Sequence, residues 1–318
     1  MKEALFKKDG NYWTYDFYEF APKFIDDKIP IVVPSYNDYK KNLFIEQVRN
    51  NEANDWPIYI VVRKSQYNDY VEYTKDIESI SIVEFEDNLI DDIGKTRREI
   101  VNYFSDRYNY IFMLDGDVFP VLKVMSHYEN RSRLSFDKSK NKLENLFSMW
   151  QLAHYNIVSK FDKCWCTYLY INDMVFNPCY GEELSYTVGG LPACCTCIDL
   201  FKIKESGINY KSIKDTGHDD IDLAIRLMDY GLFPISIKFL CSLMRPISNM
   251  GFDSIDDRLD YQNEKLYDLY GDTNKYLSLN SKNRININYK KFVKDMYGIT
   301  NTKGSIKEEV YKKLKGEI

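Results

Sequence analysis

The chain has no apolar run approaching the roughly 20 residues that a membrane-spanning helix needs. Its first residues, MKEALFKKDGNYW, lack the apolar stretch of a secretory signal, so a cytoplasmic location is expected. There is no internal repeat and no low-complexity linker. Positive charge is in deficit: 43 Lys and Arg face 48 Asp and Glu, a formal net charge of −5, which argues against a chain that coats nucleic acid through charge alone. The seven cysteines are an odd number with two adjacent, Cys194 and Cys195, which suits reduced thiols better than a disulfide framework. Cys164-x-Cys166 and Cys194-Cys195-x-Cys197 hold five thiols, enough to supply four thiolates to zinc. The C-x-C spacing is tighter than the usual knuckle, however, so buried thiols are the default.

What is present is a chain of 318 residues with 44% hydrophobic content, long enough for one large α/β domain or a domain plus an appendage. Aromatic residues are abundant, with 27 Tyr and 18 Phe, and favour broad, partly polar contact surfaces. Charge is uneven. Residues 282–318 hold ten Lys and Arg against four Asp and Glu, a net +6 that leaves −11 on the rest. A basic end on an acidic body can touch a polyanion, and so can the Lys123, Arg131, Arg133, Lys138, Lys140, Lys142 cluster; solvated helix or loop faces are the plainer reading of both.

Periodicity gives an alternating order. Ile29 to Pro34 is a buried strand closed by the turn Pro34-Ser35-Tyr36-Asn37, and a helix is expected over 39–49. Strands at 58–62 and 80–83 flank a helix over 67–77. A helix over 93–107 then feeds the strand Tyr110–Leu114. This βαβαβαβ pattern is the signature of a parallel sheet with right-handed crossovers. Further on, 142–161 is an amphipathic helix, 164–171 and 191–198 are strand-like, and Asp219–Tyr230 is a helix opening on acids and closing at Gly231. A strand over 234–240 and helices at 255–270, 287–297 and 305–316 complete the reading. The organisation expected is a leader (1–28) packed on the domain, an α/β domain (29–250), and a helical extension with a basic tail (251–318).

Two acidic constellations carry chemistry. Asp115-Gly116-Asp117 follows an apolar strand, at the carboxyl end where open α/β sheets bind ligands. Mg2+ and Mn2+ favour carboxylate oxygens plus substrate phosphate oxygens, and the tight glycine turn lets both side chains face one ion. The alternative is a polar turn. The second is Gly217-His218-Asp219-Asp220-Ile221-Asp222: three carboxylates at a helix start, where one satisfies the cap. One of them can serve as general base towards an acceptor hydroxyl. The plainer reading has Asp219 as the cap and Asp222 paired with Arg226 one turn later. His218 can complete a metal shell or contact substrate, and Gly189-Gly190 can let a ligand approach the backbone closely.

Together IVVPSYN, Arg97 one helix before an apolar strand, LDGD and GHDDIDLAIRLMDYG resemble the nucleotide-sugar glycosyltransferases of the GT-A fold, over roughly residues 29–240. The resemblance implies a Rossmann-like, mainly parallel sheet with flanking helices. It implies a nucleotide site lined by Pro34, Ser35 and Asn37, a metal motif of Asp115 and Asp117 on the donor diphosphate, and an acceptor-side E/D-D-x-D at Asp219, Asp220 and Asp222 with Asp220 at the base position. A UDP-sugar donor with Mn2+ or Mg2+ goes with it, and Arg97, Gly189 and Gly190 join the donor side. Where many relatives carry an acid after the second strand this chain has Arg63 and Lys64, cations suited to phosphate, and Arg97-Arg98-Glu99 stands where an Arg-Asn pair is frequent. Gly94-Lys95-Thr96-Arg97-Arg98, LDGDVF and GHDDIDLAIRL look most like the TET/JBP-associated glycosyltransferases. That similarity implies hydroxymethylated pyrimidine in phage DNA as acceptor. The rivals are a glycan, lipid or protein acceptor, a nucleotidyltransferase, and an inactive sugar- or DNA-binding module.

Overall fold

Alternation of side chains along the central strands decides the architecture, because successive residues of one strand enter two different cores. In the computed structural model, which describes residues 6–9, 12–15, 28–36, 39–51, 56–122, 125–126, 143–171, 185–192, 195–244, 255–271, 273–281 and 284–305, the chain begins with β1 (Phe6–Asp9), β2 (Tyr12–Tyr15), β3 (Ile31–Pro34) and α1 (Leu43–Asn51). It continues through β4 (Ile58–Arg63), α2 (Tyr67–Thr74), β5 (Ile80–Phe85), α3 (Ile93–Phe104), β6 (Tyr110–Leu114), β7 (Val118–Leu122) and β8 (Met125–Ser126). Next come α4 (Leu143–Lys160), β9 (Cys164–Ile171), β10 (Ser185–Val188), β11 (Cys195–Asp199), α5 (Leu200–Ser206), α6 (Ile213–Thr216) and α7 (Asp219–Tyr230). The last elements are β12 (Phe233–Met244), α8 (Ile255–Tyr270), β13 (Leu277–Leu279), β14 (Ile285–Ile287), α9 (Tyr289–Tyr297) and β15 (Lys303–Ser305).

The large sheet runs β15-β10-β12-β9-β11-β6-β3-β4-β5, with β7 paired to β12. β5, β4, β3 and β6 are mutually parallel, as the βαβαβαβ pattern requires. Beyond β6 the sheet is mixed, because β11 runs antiparallel to both β6 and β9 while β9 and β12 are parallel. The α/β class with helices on both faces is therefore as expected. Ile31 and Val33, Ile58, Ile60 and Val62, and Phe112 and Leu114 enter one core with residues of α1, α4, α8 and α9. Their neighbours Val32, Val61, Ile111 and Met113 enter the other with α3 and α5, and α7 contributes to both.

The carboxy-terminal helices are not an appendage to this arrangement: Leu266, Phe292 and Val293 lie in the first core. The expected boundary at 250–251 and the basic residues past 305 fall outside the described residues, as does the cluster from Lys123 to Lys142. At the start, β1 and β2 form a hairpin that pairs with β8 in a small separate sheet. No helix among the described residues is long and apolar enough to cross a membrane.

The cysteines divide between the cores. Cys164, Cys195 and Cys197 enter one and Cys166 the other, so these four thiols do not converge on a zinc site. All four are free and buried. Burial pushes the Cys164 thiol up to about 12 and those of Cys166 and Cys197 well above the usual range.

Candidate functional site

The parallel strands β3, β4, β5 and β6 end along one edge, which is where an open α/β sheet leaves a crevice. Asp115 is the first residue past β6. The amide of Val118 donates to the Asp115 carbonyl at 3.0 Å, closing the turn, and the Gly116 carbonyl accepts the Leu43 amide at 2.8 Å at the start of α1. This ties the turn to a helix on one side and the sheet on the other. Gly116 is buried, while Asp115 and Asp117 are half-buried.

Arg97 joins this edge to the second acidic motif. It lies on the inward face of α3 with Gly94, Ile100, Val101 and Phe104. Its Nη2 donates to Asp115 Oδ1 at 2.6 Å and its Nη1 to Asp219 Oδ2 at 2.7 Å. Burial opposes its charge, but Asp115, Asp219 and Asp220 hold the guanidinium protonated well above its ordinary range. The Tyr210 ring lies 6.0 Å from the guanidinium carbon and adds a buried aromatic wall.

Two residues make the approach of α3 and α7 possible. A Cβ on Gly94 would lie 1.9 Å from the Lys211 carbonyl oxygen and 3.0 Å from the Asp219 Cβ, so only glycine fits there. Asp92 caps α3 by accepting the Lys95 amide at 2.9 Å, and its other oxygen accepts the Ser212 hydroxyl at 2.5 Å. The start of α3 is thereby bound to the start of α6. The signal for Gly94 was a glycine inside a first helical turn, a position propensity disfavours.

The three carboxylates of α7 occupy different environments. His218, not Asp219, is the N-cap residue, and its side chain makes no capping bond. Asp222 is fully buried, with Oδ2 taken by Arg226 and Oδ1 by the Tyr270 hydroxyl of α8. Its expected catalytic role gives way to a structural one, because both oxygens are occupied. Asp219 is buried against Arg97. Burial raises its pKa, Arg97 opposes that and Asp220 reinforces it, with the outcome at about 6. Asp220 is half-buried; Oδ1 accepts the Ile221 amide at 2.8 Å and Oδ2 has no hydrogen-bond partner among the described residues. Burial raises its pKa as well, against Arg97.

His218 Nε2 is buried without a hydrogen-bond partner among the described residues, and burial lowers the ring's pKa to about 4, so the imidazole is neutral at pH 7. Among the described residues no three of His, Cys, Asp and Glu converge closely enough to hold a metal ion. The expected set of Asp115, Asp117 and His218 is thus not assembled as one site. Two half-buried carboxylates on a clamped turn, in an acidic neighbourhood with one compensating arginine, still fit Mg2+ or Mn2+, which take one or two protein carboxylates and fill the remaining positions with water and phosphate oxygens.

On the nucleotide side the structure reassigns several expected residues. Pro34 and Ser35 are buried. The Ser35 hydroxyl bonds to the Tyr70 hydroxyl at 2.7 Å and accepts Asn42 Nδ2 at 3.0 Å, so it braces the strand end instead of facing a ligand. Asn37 lies outside the described residues. Among the described residues of the turn the exposed one is Tyr36, with the Arg63 guanidinium 4.1 Å from its ring centroid. Gly189 has φ +86, and a Cβ there would lie 2.2 Å from that of Tyr289. The close approach reserved for substrate is made by α9, while Gly190 adopts φ 102 beside it.

No protein-family model matches the chain, and no curated protein matches it in sequence. A crystal structure of a mycobacterial protein overlaps it with a TM-score of 0.46 at 8% identity, covering 82% of this chain and 83% of the other. The structure of GalNAc-T7 with UDP, GalNAc and Mn2+ overlaps with a TM-score of 0.45 at 10% identity, covering 89% of this chain and 56% of the other. Both overlaps are loose.

Proposed function

We propose that the chain is a nucleotide-sugar glycosyltransferase of the GT-A type, dependent on Mn2+ or Mg2+, with hydroxymethylated pyrimidine in phage DNA as its favoured acceptor. The observation that carries this reading is the Arg97 bridge between Asp115 and Asp219. It brings a strand-end D-x-D and a helix-start acidic motif, about a hundred residues apart, to one buried cation. A transferase needs both halves: one for a departing diphosphate and one for an incoming hydroxyl.

Asp115 and Asp117 would hold the divalent cation, which supplies charge neutralisation on the departing nucleoside diphosphate. Arg97 fixes the direction of the Asp115 carboxylate through a charge-assisted bond and keeps Asp219 occupied. Asp220 is the general base, as the α7 carboxylate with an oxygen open. It takes the proton from the acceptor hydroxyl while that oxygen bonds to the anomeric carbon, and the diphosphate leaves with the electrons of the broken bond. A pKa raised by burial suits a base working near neutral pH. Asp222 orients this helix turn without touching substrate. A base in duplex DNA would have to be flipped out to reach the site, and the basic residues past 281 would meet its phosphates. The reaction would take place in the cytoplasm of the cell that holds the DNA.

The test is incubation with UDP-sugars, Mn2+ and DNA carrying 5-hydroxymethylcytosine or 5-hydroxymethyluracil, followed by mass spectrometry of the nucleosides. A hexose or N-acetylhexosamine mass increment is expected, with release of nucleoside diphosphate. Release of pyrophosphate would mark a nucleotidyltransferase, and donor hydrolysis without a DNA adduct would move the acceptor to a glycan, lipid or protein. Absence of both hydrolysis and transfer would leave a binding module.

A further inference from the structure

We propose that His154 is an acid-sensitive latch: as a neutral ring it holds α4 against the sheet behind the strands that end at the site, and taking up a proton releases that helix. The inference stands apart from the nucleotide-sugar reading and concerns how the fold is held. His154 lies on the inward face of α4 and is fully buried. Its Nδ1 is 3.0 Å from the Thr167 hydroxyl of β9, and that hydroxyl also accepts the Trp150 indole N–H at 3.0 Å. An indole only donates, and a hydroxyl has one proton to give. That proton goes to His154 Nδ1, so the ring's own proton sits on Nε2. Nε2 is buried with no hydrogen-bond partner among the described residues, and the ring meets that of Tyr110 edge to face at 4.9 Å between centroids.

A second proton on the ring breaks this arrangement. On Nδ1 it sets two N–H groups against one oxygen, leaves the Thr167 hydroxyl proton without its acceptor, and buries a charge that no carboxylate meets. The titratable and charged groups around the ring, among the described residues, are Tyr155 of α4, Tyr110 of β6, Cys164 of β9, Cys197 and Asp199 of β11, and Lys202 of α5. Asp199 is the one carboxylate of these, and Lys202 occupies it: the Lys202 amide donates to Oδ1 at 3.0 Å and its ammonium to Oδ2 at 2.6 Å. Burial pushes the imidazole down to about 3, and the Lys202 charge acts in the same direction. What the latch holds is the backing of the site. Trp150 and Phe147 of the same helix pack on Phe112 of β6 with ring centroids 4.7 and 4.9 Å away, and Gln151 Oε1 accepts the Ile29 amide ahead of β3 at 2.9 Å. β6 leads directly into Asp115, so release of α4 removes the packing behind that strand end.

Because the fold favours the neutral ring, the latch is whole above about pH 6.5, the ordinary value of a histidine in an unfolded chain, and weakens as pH falls from there towards 3. Urea unfolding of the full chain at pH 7 and pH 5, followed by tryptophan fluorescence, tests this against His154→Gln, whose amide keeps an acceptor for Thr167 and takes up no proton. Between the two pH values the folding equilibrium constant of the unmodified chain should fall about 20-fold more than that of the variant, the share of one proton bound only on unfolding. All other titrating groups are common to both chains and cancel. Equal losses in the two would overturn the latch. Nuclear magnetic resonance of the His154 ring in the folded, unmodified chain gives a second readout that needs no variant. Its carbon-bound protons should show no titration between pH 7 and pH 5, and a midpoint near the ordinary histidine value would overturn the proposal.

Discussion

Replacing Arg97 with methionine removes a buried cation from between two carboxylates, and the consequence can be worked from the geometry. At 2.7 Å and an effective dielectric constant of about 20, the attraction to Asp219 is about 6 kcal/mol before desolvation is counted. Desolvation offsets several kcal/mol per ion, so the net cost of breaking a buried pair is about 3–5 kcal/mol. Asp115, with 28% of its side chain exposed, can turn to water; Asp219, at 6%, cannot. Most of the loss therefore sits on Asp219. Its folded-state pKa of about 6 lies above the ordinary carboxylate value, so this group favours folding most below about pH 4, and that contribution drains away as pH rises through 6. Without Arg97 the folded pKa climbs further and the drain extends to higher pH.

Arg97→Met should therefore lower the melting temperature by about 6–10 °C at pH 8, at roughly 2 °C per kcal/mol for a chain of this size. The drop should shrink at pH 5, where Asp219 takes a proton. Arg97→Met combined with Asp219→Asn should recover more than half of the loss, since the orphaned charge is gone. Calorimetric melting at the two pH values decides the matter. A pH-independent drop, or a double variant no more stable than the single one, would refute the account.

Gly94→Ala should destabilise by about 1–3 kcal/mol or more, because its methyl would meet the Lys211 carbonyl at 1.9 Å; thermal melting and donor hydrolysis should both fall. Tyr270→Phe leaves Asp222 Oδ1 buried without its donor and should cost about 1–3 kcal/mol, read by urea unfolding. Asp115→Asn should abolish Mn2+-dependent donor hydrolysis, with EDTA doing the same to the unmodified protein. Native alkylation followed by peptide mapping should leave Cys164, Cys166, Cys195 and Cys197 unlabelled, as buried thiols.

The regular elements were legible where side-chain period and length agreed. Tyr110–Leu114, Cys164–Ile171, Asp219–Tyr230 and the helix Ile255–Tyr270 fall where the pattern put them. β13, β14 and β15, three residues each, are too short to show a period. The helix expected over 287–297 is α9, which starts two residues later at Tyr289 because Asn288 accepts the Lys291 amide as its cap, and Ile287 closes β14. In the turn after β3 the polar residues suggest a ligand, yet Ser35 is turned inward to Tyr70 while Tyr36 faces out, because burial of a side chain depends on what packs against the strand end.

The sequence by itself determined the alternating order of strands and helices, the strand-end position of Asp115-Gly116-Asp117 and the acidic start of α7, because these follow from local period and turn chemistry. It did not decide which acid does what. Asp219, Asp220 and Asp222 are the same residue within four positions, and only their partners distinguish them: Arg97 of α3 for the first, the Ile221 amide alone for the second, and Arg226 of α7 with Tyr270 of α8 for the third. Arg226 is in reach along the same helix, but Arg97 and Tyr270 come from α3 and α8, brought in by packing from 122 and 48 residues away. Burial and pairing set a carboxylate's proton affinity and reach, and both are properties of the tertiary structure.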